Sequence, residues 1–130
     1  MIVVDASALF EVLLQTSAAP AIEARLFAPG ESLHAPHLLD IEIAQVVRRF
    51  VAAGEIDAER GRAALDDLSD FRLSHYAHVV LLPRIWELRA NLTAYDAAYV
   101  ALAEALDAPL LTRDRRLART TNHRARIELV

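Results

Sequence analysis

The chain contains no cysteine, which excludes disulfides and thiolate metal sites and fits a reducing cytoplasm as the expected compartment. It has no lysine either: all 14 basic residues are arginine. No apolar run reaches the ~18 residues of a membrane-spanning helix. The first residues lack the basic stretch of a signal peptide. Internal repeats and low-complexity linkers are also missing. What remains is a chain of 130 residues, 55% hydrophobic and 25% charged, the composition of one compact domain spanning residues 1–130. A net charge of -4 argues against a protein that coats nucleic acid nonspecifically. The charge is uneven, however. Arg113, Arg115, Arg116, Arg119, Arg124 and Arg126 crowd the C-terminal end, a local patch suited to a phosphate-bearing substrate or an acidic partner.

Ile2, Val3 and Val4 form a continuous β-branched run, which suits a strand buried on both faces of a parallel sheet. Helices are expected over Ala6–Leu14, from Ser17 to about Phe27, over Leu38–Ala53, from Ala58 to about Phe71, near Pro83–Arg89, and from Thr93 to about Leu106. Strands are expected at Ser32–Ala35, Leu73–Val80, Pro109–Thr112 and Ile127–Val130, with a loop or short helix at Arg113–Arg119. This alternation predicts an α/β fold: a three-layer α/β/α sandwich around a mainly parallel central sheet.

Four acids stand where a neutral residue would cost less. Asp5 follows the first strand directly, at the end where open parallel sheets bind ligands. Glu42 borders the apolar stripe Leu39, Ile43, Val46 and Phe50; pairing with Arg49 is its plainer explanation. Asp96 lies three residues after the capping Thr93 and opens a helix that is apolar nearly all round. Asp114 comes just past Leu110-Leu111-Thr112, as Asp5 comes after Val4, and could serve as a turn or N-cap residue. Gathered at one sheet edge, four carboxylates repel one another unless they are protonated or meet a cation. An all-oxygen donor set suits Mg²⁺, or Mn²⁺, with Ser7 and Thr112 placed to hold waters or ligands around it.

The order of these residues resembles a known family. Asp5 in Val-Asp-Ala-Ser-Ala, Glu42 after Pro-x-Leu-Leu, Asp96 in Tyr-Asp-Ala-Ala-Tyr-Val-Ala-Leu-Ala and Asp114 in Leu-Thr-Arg-Asp-Arg-Arg-Leu resemble a PIN-domain ribonuclease, and within it the VapC toxins of bacterial toxin–antitoxin pairs. The resemblance spans the chain. It implies a PIN-like fold and a Mg²⁺-dependent endoribonuclease that inhibits translation and growth. Asp5, Glu42, Asp96 and Asp114 would be its catalytic and metal-binding residues. It also implies a homodimer and a VapB-type antitoxin that contacts operator DNA, so that DNA is met only through the partner. Gln45 stands where many relatives carry Asn, and Arg115 and Arg116 stand where some carry a further acid.

Several further expectations follow. Arg113, Arg115, Arg116 and Arg119 are candidates for RNA backbone contacts. Trp86, Tyr95 and Tyr99 read as packing residues rather than base-stacking platforms. The pairs His34/His37 and His75/His78 mimic metal spacing, but residues three apart on a strand point to opposite faces, so they are not read as zinc ligands. Ile41, Val47, Val51 and Ile56 exceed what one core-facing stripe needs and suggest an exposed apolar patch for dimer or antitoxin contacts. A phosphatase or phospho-acceptor domain would want paired acids at the first strand and a lysine, and neither is present. The remaining alternative is a catalytically inactive scaffold of the same fold that binds RNA or protein.

Overall fold

The computed structural model describes all of residues 1–130. Five strands form one all-parallel sheet in the order β3-β2-β1-β4-β5. They are β1 (Ile2–Val4), β2 (Leu33–Pro36), β3 (Leu73–Tyr76), β4 (Leu110–Thr112) and β5 (Ile127–Leu129). β1 is central, with Val3 opposite both His34 and Leu110, and its three residues are wholly buried. That burial is why the strand reads as an unbroken apolar run.

The helices are α1 (Ala6–Leu13), α2 (Ala19–Leu26), α3 (Leu38–Ala52), α4 (Ala58–Asp70), α5 (Leu82–Glu87), α6 (Ala94–Leu106) and α7 (Arg115–Ala118). They fall into two groups. α1 packs against α2, α3 and α4, whereas α5 packs on α6 and α6 lies over β1, β2 and β4. From β1 the chain steps outward to β2 and β3, then returns past β1 to β4. Right-handed crossovers place the two helix groups on opposite faces of the sheet. The reversal falls between β1 and β4, the position where doubly wound sheets open a crevice. The core is a cluster of 31 buried residues centred on β1, β4, α1 and α6.

Three expectations need correction. The strand expected to reach Val80 stops at Tyr76, and His78–Leu81 form a 3₁₀ turn. β3 pairs only with β2, and β2 ends at Pro36, so the chain beyond Tyr76 has no ladder to join. The proposed apolar patch is mostly internal. Val47 is 4% exposed, and Val51 and Ile56 are half-buried against the core. Gly61 of α4 is the cause: a Cβ there would lie 2.9 Å from Val51 and 3.1 Å from Val47, so the two helices meet in close contact. Of the four residues only Ile41 is exposed. Finally, Trp86 and Tyr95 are 67% and 63% exposed and are not packing residues.

Candidate active site

The site is built at the carboxyl edge of the sheet. Asp5 leaves β1 in extended conformation and caps α1, accepting from the Ala8 amide at 3.1 Å. Its Oδ1 also accepts from the Ser7 hydroxyl at 2.6 Å, and its Oδ2 accepts from the Thr112 hydroxyl. The same two hydroxyl oxygens receive the next loop: the Arg113 amide donates to Ser7 at 2.9 Å and the Asp114 amide to Thr112 at 2.9 Å. Ser7 and Thr112 thus tie β1 to the end of β4 through Asp5. Oδ1 takes two donors and Oδ2 one, which leaves Oδ2 acceptor capacity.

Glu42 projects from the second turn of α3 and accepts from the buried Tyr99 hydroxyl at 2.6 Å, not from Arg49. Tyr99 lies one turn after Asp96 on α6, so the two share a helix face. Asp96 opens α6, its amide donating to the Thr93 hydroxyl at 3.2 Å. Asp114 caps the four-residue α7, accepting from the Arg116 amide at 2.7 Å and the Leu117 amide at 3.3 Å. Arg116 also reaches Asp114 as an ion pair at 3.3 Å. Asp5 and Asp114 are therefore both N-caps, as the sequence allowed for Asp114, and both still face a common cavity.

That cavity has a volume of about 460 Å³ and is lined by Asp5, Ser7, Glu42, Asp96, Tyr99 and Asp114 among others. Arg49 is the one arginine in its lining; Arg113, Arg115, Arg116 and Arg119 stand outside it. Arg113 is turned to Glu11 at 3.4 Å and to the Val130 carbonyl at 3.0 Å. A larger cavity, about 780 Å³, lies at the opposite edge among Leu26, Phe27, Phe71 and Leu73 and holds none of the four acids.

The electrostatics are those of crowded, buried acids. Burial pushes Asp5 above the ordinary carboxylate range, against the pull of its hydrogen bonds. Glu42 is raised by burial and by the charges of Asp5 and Asp96, with the Tyr99 bond opposing. Asp96 is raised by burial and by Asp114. For Asp114 burial also acts upward, but the α7 amides and Arg116 outweigh it and the net shift is downward. Tyr99 is raised by burial and by Glu42, so it stays a proton donor.

The donor chemistry fits a hard divalent cation: four carboxylates, no histidine or cysteine, and a fixed counter-charge, Arg116, paired with only one of the four, Asp114. No three of the side chains stand close enough to ligate one ion directly. Waters would have to complete the shell, as they commonly do around Mg²⁺. The histidines lie elsewhere: His34 bonds Tyr76 at 2.8 Å, His75 pairs with Asp40 at 3.0 Å, and His78 accepts from the Leu38 amide at 2.9 Å.

The PIN-domain family model matches residues 2–122. The chain belongs to the PIN-domain family. It is 46% identical over 130 residues to Ribonuclease VapC9 of Mycobacterium tuberculosis, covering 100% of this chain and 98% of that one. Among solved structures it resembles PAE2754 from Pyrobaculum aerophilum, with a TM-score of 0.68, 28% identity, and coverage of 97% of this chain and 81% of that one. It also superposes on VapBC2 from Rickettsia felis, solved with a DNA fragment of its promoter, with a TM-score of 0.71 and coverage of 99% and 98%. At 16% identity that likeness speaks for the PIN fold alone. Within this PIN domain, Tyr99 is the site residue that sequence reasoning assigned to packing. Its spacing of three from Asp96 on an otherwise apolar helix was the available signal.

Proposed function

We propose that this PIN-domain protein is a Mg²⁺-dependent endoribonuclease and the toxin of a type II toxin–antitoxin pair, cleaving cellular RNA and so inhibiting translation and growth. One observation carries the reading: four carboxylates from the ends of β1 and β4 and the early turns of α3 and α6 line one cleft. Full-length relatedness to VapC ribonucleases supports it.

When bound there, Mg²⁺ or Mn²⁺ supplies Lewis-acid charge beside the scissile phosphodiester and makes water more acidic. The chain's own residues do the rest. Asp5, Glu42, Asp96 and Asp114 hold the ion directly or through water. Ser7 and Thr112 fix both oxygens of Asp5, and Tyr99 fixes one oxygen of Glu42, so these acids need little reordering when the ion arrives. Burial and mutual repulsion raise three of the acids, and ion binding needs them ionised, so affinity for the ion falls as pH falls.

The partners belong to the same reading. A VapB-type antitoxin would place a basic segment in the acidic cleft, excluding RNA and competing with the ion. For a homodimer, Val79, Val80, Leu82 and Trp86, each more than half exposed, offer apolar surface outside the α3–α4 hairpin. No helix is long and apolar enough to cross a membrane.

The test is to sequence the RNA 5′ ends generated on induction of the protein and of Asp96→Asn. New ends that need Asp96 support the reading. An intact RNA pool in both cases favours the non-cutting scaffold.

A further inference from the structure

The walls of the acid cleft carry two residues that metal binding leaves without a task. Tyr95 lines the cleft from the first turn of α6, is 63% exposed, and its hydroxyl meets no protein partner. A large aromatic ring left in water gains little from burial, so folding does not explain it. Arg49 lines the same cleft from α3. Like Arg48, Arg60, Arg72, Arg89, Arg115 and Arg119, it has no carboxylate within 4.0 Å, and of these it alone lines the cleft. Glu42, two turns earlier on the same face of α3, is held by Tyr99 instead.

We propose that Tyr95 and Arg49 form a nucleotide subsite, in which an unpaired base of single-stranded RNA stacks on the Tyr95 ring and Arg49 pairs with a neighbouring backbone phosphate. The inference rests on the ribonuclease reading above. The chemistry of these two side chains fits a single strand of RNA. An acidic floor repels phosphates, so a strand crossing it needs fixed cations on the walls, and Arg49 is the one that the lining offers. An exposed ring and an arginine without a carboxylate partner in one cleft are the combination that grips single strands, through stacking and charge. A base inside a duplex cannot present its face to Tyr95, so the subsite selects unpaired loops or ends. Ile41, 69% exposed on the same lining, adds apolar surface suited to the face of a base.

The probe is a short single-stranded RNA carrying one 2-aminopurine, bound to the full chain in an Asp96→Asn background so that it is not cut. Stacking on Tyr95 quenches the probe. Tyr95→Ala is expected to lose the quenching and to weaken binding about 10-fold, while Tyr95→Phe behaves as the parent. Arg49→Gln is expected to weaken binding and to lower the slope of log affinity against log salt by about 1. In cleavage assays without the background substitution, Tyr95→Ala should raise KM far more than it lowers kcat. The subsite is overturned if Tyr95→Ala keeps quenching and affinity. It is also overturned if that variant leaves RNA binding intact and weakens only the binding of a basic antitoxin peptide. Cleavage by the parent alongside such a result leaves the ribonuclease reading standing; a parent that neither binds nor cuts RNA removes both.

Discussion

The two edges of the sheet treat their acids in opposite ways. Near the starts of β1 and β2, Glu31 meets the N-terminal ammonium at 2.9 Å and Arg25 at 2.8 Å, and Arg25 also holds Glu128 at 2.8 Å. Glu31 is driven below its ordinary value by those partners. At the carboxyl edge, Asp5 and Glu42 meet hydroxyls and other carboxylates, and both are driven up. One edge has closed its charge balance with groups of its own. The other has closed its charge only at Asp114, through Arg116, and leaves that of Asp5, Glu42 and Asp96 for something that binds.

The edges therefore contribute to stability with opposite sign. A carboxylate lowered by its partners stabilises the fold above its unfolded pKa, and that stability is lost as pH falls through the folded value. Glu31 is such a group. A carboxylate raised in the fold takes up protons more readily folded than unfolded. Stability from Asp96 and Glu42 then falls as pH rises from the unfolded value, near 4, through their raised values.

The largest expected effect is at the open edge. Asp96→Asn should reduce cleavage on the order of 10³-fold or more, comparable to removing a preorganised charge-stabilising group. Its metal-free stability at neutral pH should equal or exceed that of the parent, since a repelled charge is gone; thermal unfolding with and without EDTA measures this. Asp5→Ala should abolish cleavage as well. It also removes the α1 cap and leaves the buried Thr112 hydroxyl without its acceptor, so it should cost about 1–3 kcal/mol in chemical denaturation. A Mg²⁺-dependent activity should rise with pH through the acidic range and vanish in excess EDTA at neutral pH.

A middle-sized effect belongs to Tyr99→Phe. Loss of the bond to Glu42 leaves that carboxylate raised further and less fixed. Metal affinity should fall about 10- to 100-fold, and the pH–activity curve should move toward higher pH. A curve that keeps its position while affinity falls would mean that Tyr99 acts by packing alone.

The smallest effect belongs to the closed edge. Glu31→Gln should cost no more than about 1 kcal/mol at neutral pH, as partly exposed ion pairs do, and should leave cleavage unchanged. A large loss of activity there would break the contrast between the edges.

Much of this was legible in the chain. The Ile2–Val4 run and the acids after β1 and β4 followed from burial and from where parallel sheets bind ligands. Residues whose role depends on distant neighbours were harder to read. Val47 and Val51 looked surplus because the close approach at Gly61 depends on how α3 and α4 meet. The end of β3 was hidden because strand length was set by its partner β2 and not by the apolar residues Val79 and Val80. Tyr99 and Tyr95 lie four apart on one helix, yet one is buried against Glu42 and the other is left in water. Composition treats them alike, and only the fold, which brings Glu42 to the Tyr99 hydroxyl, separates them.

The central claim is that the carboxyl edge awaits a cation. Calorimetric titration of Mn²⁺ into the metal-free protein tests it, in two buffers of different ionisation enthalpy at mildly acidic pH. The expected result is binding with net proton release, lost in Asp96→Asn and unchanged in Glu31→Gln. Absence of binding by the parent, or equal binding by Asp96→Asn, would contradict it.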